Sequence, residues 1–366
     1  MKAAELSLHI RREAKRLGFF KVGITPVRPL PLSGEFDDWL TQGRHGEMDY
    51  MARQAPRRKD PGLVLQNARS MVVLAMNYFS AAPLTEHALQ GRISRYAWGD
   101  DYHIIVRQRL QELQKSIERK EPGVTSLSYV DTGPVMEKVW GAQSALGWIG
   151  KHSNLITREQ GSWFFIGVIL LDVELEFDPK ERDYCGKCAR CIPACPTGAI
   201  IAPYVVDARL CISYLTIELR GPIPRHLRPL MGNRIFGCDD CQEVCPWNRF
   251  AVQTHEAGFN PRAGNLMPEL LSLSAITPAE FEERFKNSAI RRAKRDGFVR
   301  NVMMALGNSR SPEALPALER AIEDRSALVR GHAAWALKQI SGPAAQQALE
   351  KARLTETDPA VLEEMS

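Results

Sequence analysis

The 366-residue sequence predicts an α+β chain in three consecutive parts. Residues 1–178 mix helical and strand patterns, residues 179–250 carry every cysteine, and residues 251–366 read as helices alone. Three observations predict this division. Ser70 to Tyr78 is a continuous apolar run of strand length. Two cysteine runs in the middle of the chain share one spacing. Near the C-terminus a helical motif recurs after about 30 residues, the mark of a repeat architecture.

Composition sets the outer limits. With 44% hydrophobic and 25% charged residues the chain has the make-up of an ordinary globular protein. Its net charge of +5 permits a nucleic-acid partner without arguing strongly for one. The first twenty or so residues lack the apolar h-region of an export peptide and a twin-arginine signal. No run approaches the ~20 apolar residues of a membrane span. The expectation is a chain that is not bound to a membrane, placed in the reducing cytoplasm. Monomer is the default, because no heptad or extended apolar face stands out.

The N-terminal region opens with Leu6, Ile10, Ala14 and Leu17 at helical spacing, an amphipathic helix packed on the core. Lys21 to Thr25 is a short strand, followed by a Pro-rich passage from Pro26 to Pro31 and short helices over 36–40 and 48–53. Arg57-Arg58-Lys59-Asp60-Pro61 is basic and ends in a helix breaker, so on charge alone it reads as a solvated loop. Ser70 to Tyr78 suits a buried central strand. Ile93 to His103 leads into a charged helix that runs through Gln114. Asp101-Tyr102-His103 begins a D-x-H-x-x-G cobalamin-histidine pattern, but Val106 stands at the glycine position and the match fails. His103 alone reads as a structural or surface residue. Leu127 to Val130 is a strand that delivers Asp131, and Thr132-Gly133-Pro134 turns into a helix over 135–145. At such a junction a carboxylate is equally a helix cap or a general acid. The loop Trp148 to Asn154 then leads to an apolar strand from Trp163 to Asp172. No GxGxxG or GxxxxGK[ST] fingerprint occurs anywhere.

The central region is the most informative. Cys185-x2-Cys188-x2-Cys191-x3-Cys195-Pro196 is the spacing by which a ferredoxin-like loop wraps a 4Fe–4S cluster. Cys238-x2-Cys241-x3-Cys245-Pro246 repeats it without the first cysteine, and Cys211 is available to replace it. In two-cluster ferredoxins the fourth cysteine of a run ligates the other cluster. That rule assigns Cys185, Cys188, Cys191 and Cys245 to one cluster, and Cys195, Cys211, Cys238 and Cys241 to the other. All eight cysteines are then used. Zinc explains a Cys-x2-Cys pair but neither the third cysteine nor the repeated Cys-Pro ending. Disulfides belong to short secreted chains.

Between the runs, Gly221-Pro222-Ile223-Pro224 and the basic Arg225, Arg228 and Arg234 form a non-periodic connection. Beyond Trp247 a polar linker leads to helices, in which Val299-Arg300 to Ala305-Leu306 resembles Val329-Arg330 to Ala336-Leu337. Helix-pair stacks of this kind are HEAT-like, and two units need the rest of the body to pack against. Upstream, Arg291-Arg292-Ala293-Lys294-Arg295 is either a solvated helix face or a phosphate-binding surface.

In combination these features resemble the epoxyqueuosine reductases, cobalamin-dependent iron–sulfur enzymes of tRNA queuosine synthesis. The residues that carry the resemblance are Tyr129 to Lys138 (YVDTGPVMEK), Gly147 to Asn154 (GWIGKHSN), the first cysteine run, and Ile235 to Asn248 (IFGCDDCQEVCPWN). The resemblance implies an N-terminal α/β cobalamin-binding domain similar to that of reductive dehalogenases, a two-cluster ferredoxin-like module and HEAT-like repeats that help hold a tRNA anticodon stem-loop. It implies reduction of epoxyqueuosine to queuosine at the wobble position, with loss of water, by cob(I)alamin fed from the two clusters and an external low-potential electron donor. Asp131 corresponds to the family's proton donor. Arg58, Ser94, Asp131, Leu155 and Ser213 fall where the family contacts the corrin, and His152 and Asn154 of the preceding loop are grouped with them. Some relatives carry a cysteine where Ser94 stands, so no cobalt-ligand role is carried over to it. For phosphate contacts the expected residues are Arg225, Arg228, Arg234, Arg291, Arg292, Lys294 and Arg295.

The chemistry is coherent on physical grounds. Clusters of this kind reach potentials as low as about −700 mV, and two of them can relay single electrons to a centre that needs a pair. The leaving oxygen needs a proton, so Asp131 is expected to keep one near neutral pH through a pKa raised by burial. A reductive dehalogenase is the alternative enzyme, but its expected export signal is missing and it gives no reason for the repeats. A non-catalytic two-cluster electron carrier leaves the region before the clusters, and the Asp131 loop, unexplained.

Overall fold

A computed structural model describes residues 2–30, 33–83 and 87–366. The expected Pro-rich passage ends at Pro31, outside the described residues. The N-terminal region is built on a four-stranded sheet in the order Lys21–Pro26, Ser70–Asn77, Phe164–Leu171, Ser126–Tyr129. Every neighbouring pair is antiparallel, so the mixed pattern of the sequence resolves as α+β. Ser70–Asn77 lies inside the sheet, as its apolar run requires, and its alternate residues feed two cores. Val72, Leu74 and Met76 pack with Leu6, Ile10, Val106 and Leu110 of the helices Ala3–Arg16 and Tyr102–Lys120. Met71, Val73 and Ala75 pack with Val135, Trp140 and Leu155 on the other face. Strand alternation thus explains why both faces are covered.

The basic run Arg57–Pro61 departs from the solvated loop expected of it. Residues Ala55–Lys59 form a helical turn with Pro56 at its start, and Arg58 is buried. The expected helix over 135–145 is shorter, Glu137–Gln143, because residues 130–136 form an irregular loop.

One apolar core crosses the boundaries expected at 178 and 250. It joins Leu89, Ile93 and Trp98 to Ile212, Leu215, Ile235 and Phe236, and these to Phe281, Phe298, Val302 and Leu306. Arg92–Ile93 also pairs in parallel with Arg234–Phe236, tying the first region to the cysteine region. The similar C-terminal segments lie on the helices Lys294–Ser309 and Ala327–Ile340, which pack together. Their approach needs a glycine, since a Cβ on Gly307 would meet the Trp335 ring at 2.6 Å. Buried Arg300 donates to the carbonyls of Leu215 (2.7 Å), Leu219 (2.9 Å) and Gly221 (2.7 Å), and Asn301 donates to Thr216 and Ile235. The repeat helices thereby fix the segment that follows Cys211. No helix among the described residues is long and apolar enough to cross a membrane.

Candidate active site

The loop after the edge strand Ser126–Tyr129 positions the main carboxylate. Asp131 has φ 57°, a conformation few residues other than glycine adopt, and its neighbour Thr132 bonds back to the Val130 carbonyl at 2.6 Å. Gly133 lies against the Tyr129 ring, where a Cβ would come within 2.3 Å, so the turn cannot carry a larger residue. This tight turn projects Asp131 into a cavity of about 2110 Å³.

Two neighbours from the first turn of Tyr102–Lys120 meet the Asp131 carboxylate. The Tyr102 hydroxyl donates to Oδ2 at 3.0 Å, and His103 Nε2 lies 3.4 Å from the same oxygen. His103 Nδ1 is 2.7 Å from Asp101 Oδ1, so the imidazole bridges two carboxylates. Burial opposes a charge on His103, but the hydrogen bonds and negative charges of Asp101 and Asp131 outweigh it and raise its pKa to about 9. For Asp131, burial acts upward, yet the bond and charge of His103 and the Tyr102 hydroxyl hold its carboxyl below the usual range. Its side chain is 66% accessible, and the space it meets is the cavity. The expectation of an Asp131 pKa raised by burial is therefore not met: its carboxyl is held low, and His103 is the partner whose pKa is raised.

A second carboxyl, absent from the sequence-based candidates, lines the same cavity. Burial raises the pKa of Glu137 to about 8, and the negative charge of Asp131 adds to the effect. Its Oε1 is buried without a hydrogen-bond partner among the described residues. Next to it, Lys138 donates to Asn154 Oδ1 at 2.8 Å. Two carboxyl groups whose surroundings separate their pKa values form an acid–base pair by general principle.

Of the residues expected to hold a cofactor, Arg58, Asp131 and Ser213 line this cavity. Arg58 Nε is buried there with no partner among the described residues. Four others are placed elsewhere. Ser94 is buried and bonded to Asp239. His152 is buried beside Cys185, Cys188, Cys191 and Cys245. Leu155 is in the core under the sheet, and Asn154 touches the cavity only through Lys138. Local spacing brought these side chains close to the site but did not fix the direction in which each points.

The basic candidates divide in the same way. Arg291, Arg292 and Lys294 are exposed and line the cavity. Arg291 pairs with Glu282 and Arg292 with Glu218, while Lys294 has no ion pair among the described residues. The other four are held by acids of the fold. Arg228 is fully buried, held by Glu364 at 2.7 Å and by the Ile223 carbonyl. Arg225 pairs with the same Glu364 at 3.1 Å. Arg234 is bound to Asp240 and Arg295 to Asp324, each at 2.6 Å. None of these four lines the cavity.

None of the eight cysteines is in a disulfide. Several of them lie within electrostatic reach of one another. Burial raises the Cys191 and Cys245 thiols, and the charges of Cys185 with Cys188, and of Cys185 with Cys191, respectively raise them further. Burial likewise raises Cys241, followed by the charges of Cys211, Cys238 and Cys195. Among the described residues no three His, Cys, Asp or Glu side chains are placed around a single metal ion.

Comparison with known proteins gives this geometry its context. A family model described as epoxyqueuosine reductase QueG, DUF1730, matches residues 58–132. A 4Fe-4S double cluster binding domain matches 184–248, and HEAT repeats match 289–365. The chain is 42% identical over 339 residues to an epoxyqueuosine reductase of Escherichia coli (strain K12), covering 92% of this chain and 89% of that protein. It is 41% identical over 344 residues to one of Pseudomonas aeruginosa, covering 92% and 95%. A crystal structure of epoxyqueuosine reductase with a tRNA-Tyr epoxyqueuosine-modified tRNA stem loop superposes with a TM-score of 0.92 at 31% identity, covering 99% and 97% of the two chains. The enzyme of Bacillus subtilis, with its catalytic aspartate loop swung out of the active site, gives 0.92 at 30%, with the same coverage.

Proposed function

We propose that this chain, which belongs to the epoxyqueuosine reductase family, reduces epoxyqueuosine in tRNA to queuosine. The observation that carries the reading is the meeting of Asp131, His103 and Glu137 in one large cavity that Arg291, Arg292 and Lys294 also line. Proton-holding groups and phosphate-seeking cations thus share a single space.

The two quartets of thiols fit the 4Fe–4S clusters of the double-cluster family, with no cysteine left over. The cavity suits cobalamin on two counts. At about 2110 Å³ it exceeds the ~300–1,000 Å³ of pockets for drug-sized ligands. It also holds the partnerless Arg58 Nε and Glu137 Oε1, which call for polar groups from a ligand. Arg58 and Ser213 would hold the corrin. When bound, it supplies the low-valent cobalt that an epoxide needs as its reductant.

The chain's own residues manage the protons. Conversion of an epoxide to an alkene and water consumes two electrons and two protons. Asp131 is ionised at neutral pH, and His103 beside it holds the first proton. Asp131 accepts that proton from His103 Nε2 and passes it to the leaving oxygen, so the pair together acts as the general acid. Glu137, still protonated at neutral pH, supplies the second. Lys294, Arg291 and Arg292 hold the stem-loop backbone at the mouth. An external low-potential donor provides the electrons, and the chain works as a monomer in the reducing cytoplasm, where thiolates remain available to clusters.

The test is anaerobic turnover of an epoxyqueuosine stem-loop with and without cobalamin, followed by nucleoside mass spectrometry. Loss of one oxygen that depends on cobalamin supports the reading. No product from protein with verified clusters and cobalamin removes it.

A further inference from the structure

We propose that the exposed side of the first cysteine quartet is a docking surface for an acidic, low-potential electron-carrier protein. The inference uses the functional reading only in requiring that electrons enter from outside.

The two quartets face different surroundings. Cys188 is exposed, the only cysteine in that class. Cys211 of the second quartet precedes Ser213, which lines the large cavity. The first quartet is therefore on the side where electrons can enter, and the second on the side where they are used.

Cations surround the entry side. Openings of about 570 and 230 Å³ share Arg190, Cys245, Pro246 and Arg249, and neither shares a lining residue with the large cavity. Arg158 and Arg182 lie over the Tyr184 ring at 5.1 and 5.8 Å, and Tyr184 lines the smaller opening. Arg249 lies over the exposed Phe250 ring at 4.5 Å. Exposed Lys187 belongs to the loop itself.

Among the described residues none of Arg158, Arg182, Lys187, Arg190 and Arg249 forms an ion pair, unlike the exposed Arg225, Arg291 and Arg292. Two nearby acids have partners within the fold. Asp183 accepts the Tyr204 hydroxyl, and Glu243 pairs with Arg92. Unpaired cations around a redox centre steer an acidic protein to that centre and speed its association. RNA is the less fitting occupant, because the cavity that must receive the base has its own cations at a separate opening.

Each docking passes one electron from the reduced carrier, which is oxidised by one electron, to the first cluster. Two dockings supply the electron pair of one turnover.

The experiment compares the holoprotein with Arg158→Glu/Arg182→Glu/Arg249→Glu, and with the corresponding glutamine variant in case glutamate impairs folding. Iron content and cluster absorbance confirm both proteins. The probe is an acidic flavodoxin, measured by its binding across a salt series and by the rate at which its reduced form bleaches the clusters. The expected result is a loss of affinity and bleaching rate of about tenfold or more, with a flatter salt dependence. Reduction by dithionite and binding of the stem-loop stay unchanged. Unaltered flavodoxin binding and bleaching overturn the proposal, as does a parallel loss of stem-loop affinity, which would give the rim to RNA. Neither flavodoxin readout uses a tRNA substrate, so failure of the queuosine reading leaves this test intact.

Discussion

Two groups of residues line the large cavity, one a mixture of carboxyl, phenol and imidazole groups and the other entirely cationic. Tyr102, His103, Asp131 and Glu137, from the sheet-based region, are titratable groups; His103 and Glu137 release their protons at about 9 and about 8, beside an Asp131 carboxyl held low. Arg291, Arg292 and Lys294, from the start of the helical region, are basic side chains. The first group can exchange protons with a substrate, and the second can only attract one. Substitutions in the first should therefore act on kcat, and those in the second on KM and its salt dependence.

The largest expected effect comes from Asp131→Asn. An amide keeps the size of the side chain but cannot take a proton from His103. Turnover should fall by about 10²–10⁴-fold, the usual contribution of a positioned acid. Clusters, cobalamin and stem-loop affinity should be retained. Single-turnover kinetics with a separate binding measurement check this, and a change mainly in affinity would dissolve the distinction between the two groups.

Next is the pH dependence. Glu137 releases its proton as pH rises through about 8, and His103 does so through about 9. Both groups are proton-loaded below those values, so kcat should hold at neutral pH and decline through pH 8–9. Glu137→Gln should lower kcat by about tenfold and leave only the later decline, that of His103. A kcat–pH profile of the variant that still breaks near 8 would take Glu137 out of the proton supply.

The same comparison explains what the sequence disclosed. Cluster ligation depends on short spacings, so its candidate ligands can be proposed from the order of the cysteines alone. The place of Asp131 at the end of a strand was legible locally, while its role as proton donor came from the family resemblance alone. His103 was not legible, because the carboxylate that gives it a role is 28 residues away. The available signal was Asp101-x-His103, set aside when Val106 failed the cobalamin-histidine pattern. Val106 is fully buried against the sheet, so its identity reports core packing and says nothing about His103. The basic residues show the limit most clearly. Arg228 and Arg292 look alike in sequence, yet Arg228 is neutralised by a glutamate 136 positions away. Charge in a sequence shows where cations are, while the fold decides which of them remain available to a ligand.

The smallest effect is expected at the cationic group, and it is the most discriminating. Arg291 and Arg292 each already share an acid, Glu282 and Glu218, so part of their charge is screened within the protein. Lys294 has no such partner among the described residues and is exposed at the cavity. Lys294→Gln should therefore weaken stem-loop binding more than Arg291→Gln does, although each loss should be only a few-fold. One phosphate contact removed should reduce the slope of log affinity against log salt by about 0.7–0.9. Saturating turnover should be unchanged in both variants. Equal slopes for wild type and Lys294→Gln would mean that this lysine meets no phosphate, and the ion-paired arginines would then be the contacts to examine. A fall in saturating turnover would instead place Lys294 with the proton-holding group, because a residue that only attracts the backbone has no influence once the stem-loop is bound.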